Sequence, residues 1–94
     1  MKKNINPQVL DIQRRFFEAI SVAKQLKKTT GLKSFCDNHN LNLVKYYRIK
    51  GDLGKPIKDM HYKAIDIDAL LYICVDFGVS ADWLLLGRGV LEIK

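Results

Sequence analysis

Residues 32–51 read LKSFCDNHNLNLVKYYRIKG, a stretch that divides into two short helical segments. A short helix fits residues 32–39, with Phe35 and Cys36 facing the interior. Asn40 follows as a helix breaker, because asparagine tolerates a positive φ better than any residue except glycine. The pattern therefore predicts a short helix that ends in a sharp turn.

The second half of the same stretch predicts a basic helix. Asn42 has the side chain of a helix N-cap, and a third helix over residues 43–50 buries Tyr46 and Ile49 at i, i+3 spacing. The small Cys36 suits the point where the two helices cross. Two short helices joined by a tight turn, the second basic and facing solvent, form the layout of a helix-turn-helix.

A first helix is predicted over residues 7–28. It begins at Asn6-Pro7, an N-cap side chain followed by proline at the first helical position. Apolar residues then recur in steps of three and four, the period of one helical face. That face consists of Val9, Ile12, Phe16, Ala19, Ile20, Ala23 and Leu26.

Two more helices are predicted in the second half of the chain. Asp66 is expected to cap a fourth helix over residues 67–77, and Gly78 to stop it. Ser80 caps a short fifth helix, and residues 90–93 form either an added strand or a frayed end. The inner face of the fourth helix is expected to be Ile67, Leu70, Leu71, Cys74 and Phe77.

Between the third and fourth helices, residues 51–65 predict a loop of about 15 residues, long for a small domain. A short helical turn is expected near Met60–Tyr62. A chain of 94 residues with 48% apolar residues accommodates one domain and one core. The expected architecture is all-α, with five helices in a single domain over residues 1–94, whose core covers about residues 7–87.

Basic residues are concentrated in the first half of the chain. Residues 1–50 hold 11 basic and 3 acidic side chains, a local charge of +8. Residues 51–94 hold 5 basic and 7 acidic side chains, a local charge of −2. One half of a small domain thus carries most of the positive charge, which indicates a polyanionic partner. Nucleic acid is the first candidate for that partner, and an acidic membrane surface is the second.

Residues 66–87, DIDALLYICVDFGVSADWLLLG, resemble the last two helices of lambda-repressor-like (Xre-type) DNA-binding domains. The string GVSADWLLLG at 78–87 is the most specific part of the resemblance. RFFEAI at 15–20 is similar to the first helix of small DNA-binding proteins of Bacteroidetes-type bacteria. The resemblance covers roughly residues 12–89. The chain departs from the family pattern at Phe35-Cys36, at Asn40-Leu41-Asn42 and at Lys50-Gly51-Asp52.

The resemblance implies a lambda-repressor-like fold whose third helix, about residues 42–50, enters the major groove of double-stranded DNA. The function it implies is that of a small, repressor-like transcriptional regulator. The implied DNA-binding residues are Lys33, Asn42, Leu43, Val44, Lys45, Tyr47, Arg48 and Lys50. Lys33 and Lys50 are expected at phosphates, together with Lys27, Lys28, Lys55 and Lys58.

A protein-interaction module is the alternative, an antitoxin-like or assembly adaptor that keeps the fold without reading bases. The long loop and the departure at Lys50-Gly51-Asp52 favour it. No enzyme is expected, since the sequence has no glycine-rich phosphate loop and no nucleophile elbow. No cofactor is expected either. Cys36 and His39 offer half a zinc site with His61 and Cys74, but both cysteines fall on predicted core faces.

A homodimer is expected, because one recognition helix reads only a few base pairs. Proteins of this kind usually bind as dimers to two half-sites. The candidate surface is helix 5 with the C-terminal tail, Leu84 to Ile93, which has more apolar residues than one small core can cover.

The longest apolar run, Ala69 to Val75, is too short to span a bilayer. Lys2 and Lys3 are followed by NINPQ at 4–8 where a signal peptide would have an apolar run, and two cysteines are too few for a disulfide-rich secreted scaffold. A reduced, cytoplasmic protein without membrane attachment is therefore expected.

Overall fold

The computed structural model describes residues 5–61 and 63–94, which form five α-helices and one turn of 3-10 helix. The prediction of an all-α fold with five helices is confirmed, and no strand occurs in these two ranges. The helices are α1 (Pro7–Gln25), α2 (Leu32–Asn38), α3 (Leu43–Asp52), α4 (Ile67–Phe77) and α5 (Ala81–Leu86), with the 3-10 turn at Ile57–Asp59.

Three helices begin at the predicted cap residues. The side chains of Asn6, Asn42 and Ser80 each accept a hydrogen bond of 2.9 to 3.4 Å from a backbone N–H in the first helical turn. Such bonds satisfy donors that have no partner inside the helix. Gly78 ends α4 in the left-handed region, with φ of 67°. These boundaries are set by local chemistry, which is why the sequence predicts them.

The first helix is shorter than predicted, because it ends at Gln25 rather than at residue 28. Lys27 adopts a φ of 61°, and the N–H of Lys28 donates to the carbonyl of Ala23 at 2.8 Å. This is a Schellman ending with lysine where glycine usually stands. Leu26 is therefore exposed, not part of the buried face as predicted.

One apolar cluster joins all five helices. Its centre contains rings packed at close range, with the Phe16 centroid 5.8 Å from that of Phe35 and 5.9 Å from that of Tyr46. Burying a large apolar side chain contributes about 1.5–3 kcal/mol. The largest fully buried side chains are Phe16, Phe35, Cys36, Tyr46, Ile49, Ile73 and Leu84.

The predicted inner face of α4 is wrong in part. Phe77 is buried and Leu70 and Cys74 pack against the core, as predicted, but Ile67 and Leu71 are exposed, and Ala69 and Ile73 are buried instead. Nine of the eleven residues of α4 are apolar, so periodicity alone does not fix its rotation. Packing against α1 selects the face that carries the small side chain of Ala69.

The loop and the tail also differ from prediction. The helical turn lies at Ile57–Asp59 rather than near Met60–Tyr62, and Tyr62 lies outside the described residues. The tail is neither a strand nor a frayed end. Leu91 and Ile93 pack against the core, and the N–H of Lys94 donates to the carbonyl of Phe77 at 2.7 Å.

Within the described residues, no helix is both long enough and apolar enough to cross a membrane.

Candidate nucleic-acid interface

The turn between α2 and α3 is held by backbone hydrogen bonds. Asn40 has the predicted positive φ, 56°. The N–H of Leu41 donates to the carbonyl of Cys36 at 2.8 Å, while the Cys36 side chain is fully buried. Because Leu41 also packs partly against the core, the orientation of α3 relative to α2 is fixed from both sides of the turn.

The outward face of α3 carries Val44, Tyr47, Arg48 and Gly51, which follow i, i+3, i+4 and i+7 spacing. Val44 is 58% exposed and Tyr47 is 52% exposed, and Arg48, one turn after Val44, is exposed as well. A Cβ atom added at Gly51 would meet nothing within 4 Å. The structure therefore brings three of the predicted DNA-binding residues together on an open surface, which we call the α3 outward face.

The other predicted residues of α3 lie elsewhere. Leu43 packs partly against the core, and Asn42 uses its side-chain oxygen to cap the helix. Lys50 is exposed in the last turn, to one side of the α3 outward face. None of these three residues shares the surface formed by Val44 and Arg48.

Lys45 is engaged in a network that links α3 to α4. Its ammonium lies 2.9 Å from Oδ1 of Asp66, and the Tyr46 hydroxyl donates to Oδ2 of the same carboxylate at 2.7 Å. The hydrogen bonds from Lys45 and then Tyr46 lower the pKa of Asp66. Burial raises the pKa of Tyr46 above its ordinary value, and its bond to Asp66 adds to the shift.

Asp66 occupies the N-cap position of α4 without making a capping hydrogen bond. The prediction that Asp66 caps α4 through its side chain is therefore wrong. The carboxylate accepts hydrogen bonds from Lys45 and Tyr46 instead. This contact joins positions about twenty residues apart, which no local pattern in the sequence reveals.

Lys33, predicted at a phosphate, is paired with Asp37 on the same helix. Its ammonium lies 2.8 Å from Oδ2 of Asp37, at i, i+4 spacing, and both side chains are well exposed. The hydrogen bond to Asp37 raises the pKa of Lys33. Exposed pairs of this kind are weak and exchange readily with other anions.

A cationic depression at the end of α3 was missed by the sequence analysis. Asp52 is 8% exposed, accepts a hydrogen bond from the backbone N–H of His61 at 2.9 Å and forms an ion pair with Lys55, whose ammonium lies 3.2 Å from Oδ1. The His61 N–H and, after it, Lys55 lower the pKa of Asp52. Arg48, Lys55, His61 and Lys63 line the depression around this carboxylate.

Of these residues, only Lys55 and Arg48 were predicted to contact DNA. The sequence feature that indicates the other members is Asp52, an acid at the end of a helix that is followed by a basic loop. Such an acid can bind groups of the loop and hold the loop folded back against the helix. We call this surface the Asp52 cluster, formed by Arg48, Asp52, Lys55, His61 and Lys63.

A second basic depression lies where α1 ends and α2 begins. It is lined by Lys24, Lys27 and Lys28 together with the hydroxyl residues Thr29, Thr30 and Ser34. Lys27 and Lys28 were predicted to contact phosphates. The Schellman ending of α1 directs the chain through this surface and brings the two lysines beside Lys24.

The candidate zinc ligands have other partners. Cys36 is buried in the core, and burial raises the pKa of both Cys36 and Cys74. The His39 imidazole stacks on the Tyr72 ring at 3.9 Å, and its Nε2 lies 2.6 Å from Oδ2 of Asp76. Over the ranges 5–61 and 63–94, no three metal-ligating side chains converge.

The predicted dimer surface is narrower than the sequence suggested. Leu84 is buried and Leu91 and Ile93 pack partly against the core, whereas Leu85, Leu86 and Val90 are exposed. The Arg15 guanidinium donates to the carbonyl of Leu84 at 2.8 Å. That bond satisfies an end carbonyl of α5 and fixes the helix against α1.

The α3 outward face offers apolar and guanidinium groups, and the two basic depressions offer ammonium groups. Such a surface can bind a polyanion and can contact groups that project from it. Comparison of this chain with protein-family models, with curated proteins and with solved structures finds no match.

Proposed function

We propose that this protein binds double-stranded DNA with sequence specificity, as a small repressor-like transcriptional regulator of the lambda-repressor-like class. The observation that carries this proposal is the α3 outward face, with Val44, Tyr47 and Arg48 exposed side by side. Arginine can bond both acceptors of guanine in the major groove, and valine can contact a thymine methyl group. In this proposal, α2, the Asn40 turn and α3 act as a helix-turn-helix.

The two basic depressions are proposed to bind the DNA backbone on either side of α3. Lys24, Lys27 and Lys28 lie in one, and Lys55 and Lys63 lie in the other. Phosphate contacts fix the register of a protein on the duplex without reading its sequence. Lys50, in the last turn of α3, is proposed to make a similar contact.

We further propose a homodimer through α5 and the tail, which would place two recognition helices on two half-sites. The exposed side chains of Leu85, Leu86 and Val90 support this surface. A regulator of this kind acts in the bacterial cytoplasm, and its mechanism is steric, because a bound dimer occludes the operator.

The experiment that tests the function begins with selection of a preferred duplex from a random pool. Binding of that duplex and of a scrambled duplex is then measured at several salt concentrations. If five phosphates are neutralised, log K against log salt should have a slope of about −4.5. Equal affinity for the two duplexes would contradict sequence reading, and no binding at low salt would contradict DNA binding.

A protein-interaction module is the second candidate. The observation that favours it is the engagement of Lys33 and Lys45 with Asp37 and Asp66, which occupies two of the predicted DNA contacts. In that case the fold is retained as a scaffold, and duplex DNA should bind weakly at every salt concentration. The salt titration therefore separates the two candidates.

A further inference from the structure

The fourth helix exposes an apolar stripe on the side away from the core. Ile67 is 80% exposed, Leu71 is 57% exposed and Val75 is 69% exposed. They follow i, i+4 and i+8 spacing, so they lie along one face of α4. We call Ile67, Leu71 and Val75 the outer α4 stripe. Because Ala69 and Ile73 fill the core-facing side, the helix is apolar on two faces.

An exposed stripe of large branched side chains indicates a surface that is covered in the working protein. At 1.5 Å per residue, the stripe is about 12 Å long. The DNA-binding function proposed above leaves it unused, since that function relies on α3 and the two basic depressions. The proposed α5 dimer also leaves it open, because the exposed residues Leu85 and Leu86 belong to another element.

The two ends of the stripe carry opposite charges. Asp68 is exposed in the first turn of α4. At the other end, the side chain of Lys94 lies against Gly78, where a Cβ atom would meet the Lys94 Cβ at 2.7 Å. Within the described part of the chain, neither Asp68 nor Lys94 has an ion-pair partner.

We propose that two copies of this chain pair through the outer α4 stripe, with their α4 helices antiparallel. Leu71 lies at the two-fold axis, so Ile67 of one protomer packs against Val75 of its partner. The same arrangement brings each Asp68 to the other protomer's Lys94. A parallel pair would instead place Asp68 against Asp68, so the charges select the antiparallel one.

This pairing goes beyond the proposed function, because it uses a surface that neither DNA binding nor the proposed α5 dimer involves. Two turns of helix bury less than the ~800 Å² per partner of a standard interface, so the association is weak and concentration-dependent. An isologous contact of this kind is the commonest way in which identical chains associate. If the α5 surface also pairs, the two contacts together join more than two chains.

Disulfide trapping tests the position of the axis. Leu71→Cys is made on a Cys74→Ser background, with the buried Cys36 retained, and oxidised with diamide without DNA. We expect a covalent dimer in high yield. Leu26→Cys, which is similarly exposed at the end of α1, is the matched control. A yield for Leu71→Cys no higher than the control would overturn the proposal.

A charge exchange tests the orientation by sedimentation and does not depend on disulfide geometry. Asp68→Lys and Lys94→Asp should each raise the Kd for self-association about three- to tenfold, since each single change affects two symmetric ion pairs. The double variant should restore association. Two outcomes would overturn the antiparallel pair: an unchanged Kd in both single variants, or a double variant that associates as weakly as the single variants. Either result would indicate that the outer α4 stripe binds something other than a second copy in this arrangement. DNA binding is measured separately, so its failure would be distinguishable.

Discussion

The Tyr46 hydroxyl donates a hydrogen bond of 2.7 Å to Oδ2 of Asp66, and this bond ties the middle of α3 to the first residue before α4. Tyr46 is fully buried, whereas the Asp66 carboxylate is partly exposed and also pairs with Lys45. The bond therefore crosses from the core to the surface. It holds α3 at a fixed angle while leaving the α3 outward face free.

The first prediction concerns the stability that this bond contributes. Tyr46→Phe should lower the free energy of unfolding by about 1.5–3 kcal/mol, because the acceptor is charged and the ring stays in place. Tyr47→Phe, one residue along the helix on its exposed face, should change it by less than about 0.5 kcal/mol. Urea denaturation of both variants measures the difference. Equal values for the two would contradict a specific role for the Tyr46 hydroxyl.

The second prediction concerns the rotation of α4. Ile73→Ala removes a fully buried side chain and should cost about 2–5 kcal/mol of unfolding free energy. Leu71→Ala removes an exposed side chain and should cost less than about 1 kcal/mol, since alanine is also a good helix former. Thermal denaturation at low protein concentration keeps self-association from obscuring the comparison. A larger cost for Leu71→Ala would restore the rotation that the sequence predicted.

The third prediction is a loss of stability in acid. The pKa of Asp52 is lowered chiefly by the His61 N–H, and that of Asp66 by Lys45 and Tyr46. A carboxyl group with a lowered folded-state pKa stabilises the fold above its unfolded value and loses that contribution as pH falls through the folded value. The ordinary value here is 3.8, so the free energy of unfolding should fall as pH drops below about 4.

Asp52→Asn isolates part of that pH dependence. The variant should be less stable than the wild type at pH 7, and the difference should narrow as the pH approaches 3. Asp59→Asn, an exposed position in the same loop, serves as the control and should follow the wild-type curve. A constant difference between Asp52→Asn and wild type across the titration would rule out the proposed linkage.

The features that the sequence predicts are those that depend on neighbouring residues. Asn6, Asn42 and Ser80 cap helices through bonds within a single turn, and Asn40 turns the chain through its own φ. The buried positions of Tyr46 and Ile49 in α3 follow from their i, i+3 spacing. Such features can be predicted from a few neighbouring residues, because they do not depend on contacts with the rest of the chain.

The features that were missed depend on contacts distant in sequence or on residues in unusual roles. Lys27 adopts a backbone conformation that usually marks glycine, so the end of α1 was placed too late. The Asp52 cluster requires a loop that folds back over nine residues to His61. The rotation of α4 depends on which face packs against α1, and a helix in which nine of eleven residues are apolar carries no clear signal for that choice.

The last prediction separates base reading from phosphate binding. Arg48 lies on the α3 outward face, between Val44 and Gly51, while Lys50 lies to one side in the last turn of the helix. The planar guanidinium can bond both acceptors of guanine, a contact that contributes about 1–3 kcal/mol of discrimination. The flexible ammonium of lysine suits a phosphate instead.

Arg48→Ala should therefore weaken binding to the preferred duplex far more than to a scrambled one. Both side chains are exposed, so the free energy of unfolding should remain within about 0.5 kcal/mol of the wild type. Lys50→Ala should weaken binding to the two duplexes equally and flatten the slope of log K against log salt by about one unit. Because Arg48 is also a member of the Asp52 cluster, Lys63→Ala is the matched control for a loss of charge there. If Arg48→Ala behaves like Lys63→Ala on both duplexes, Arg48 binds only the backbone, and the α3 outward face does not read sequence through it.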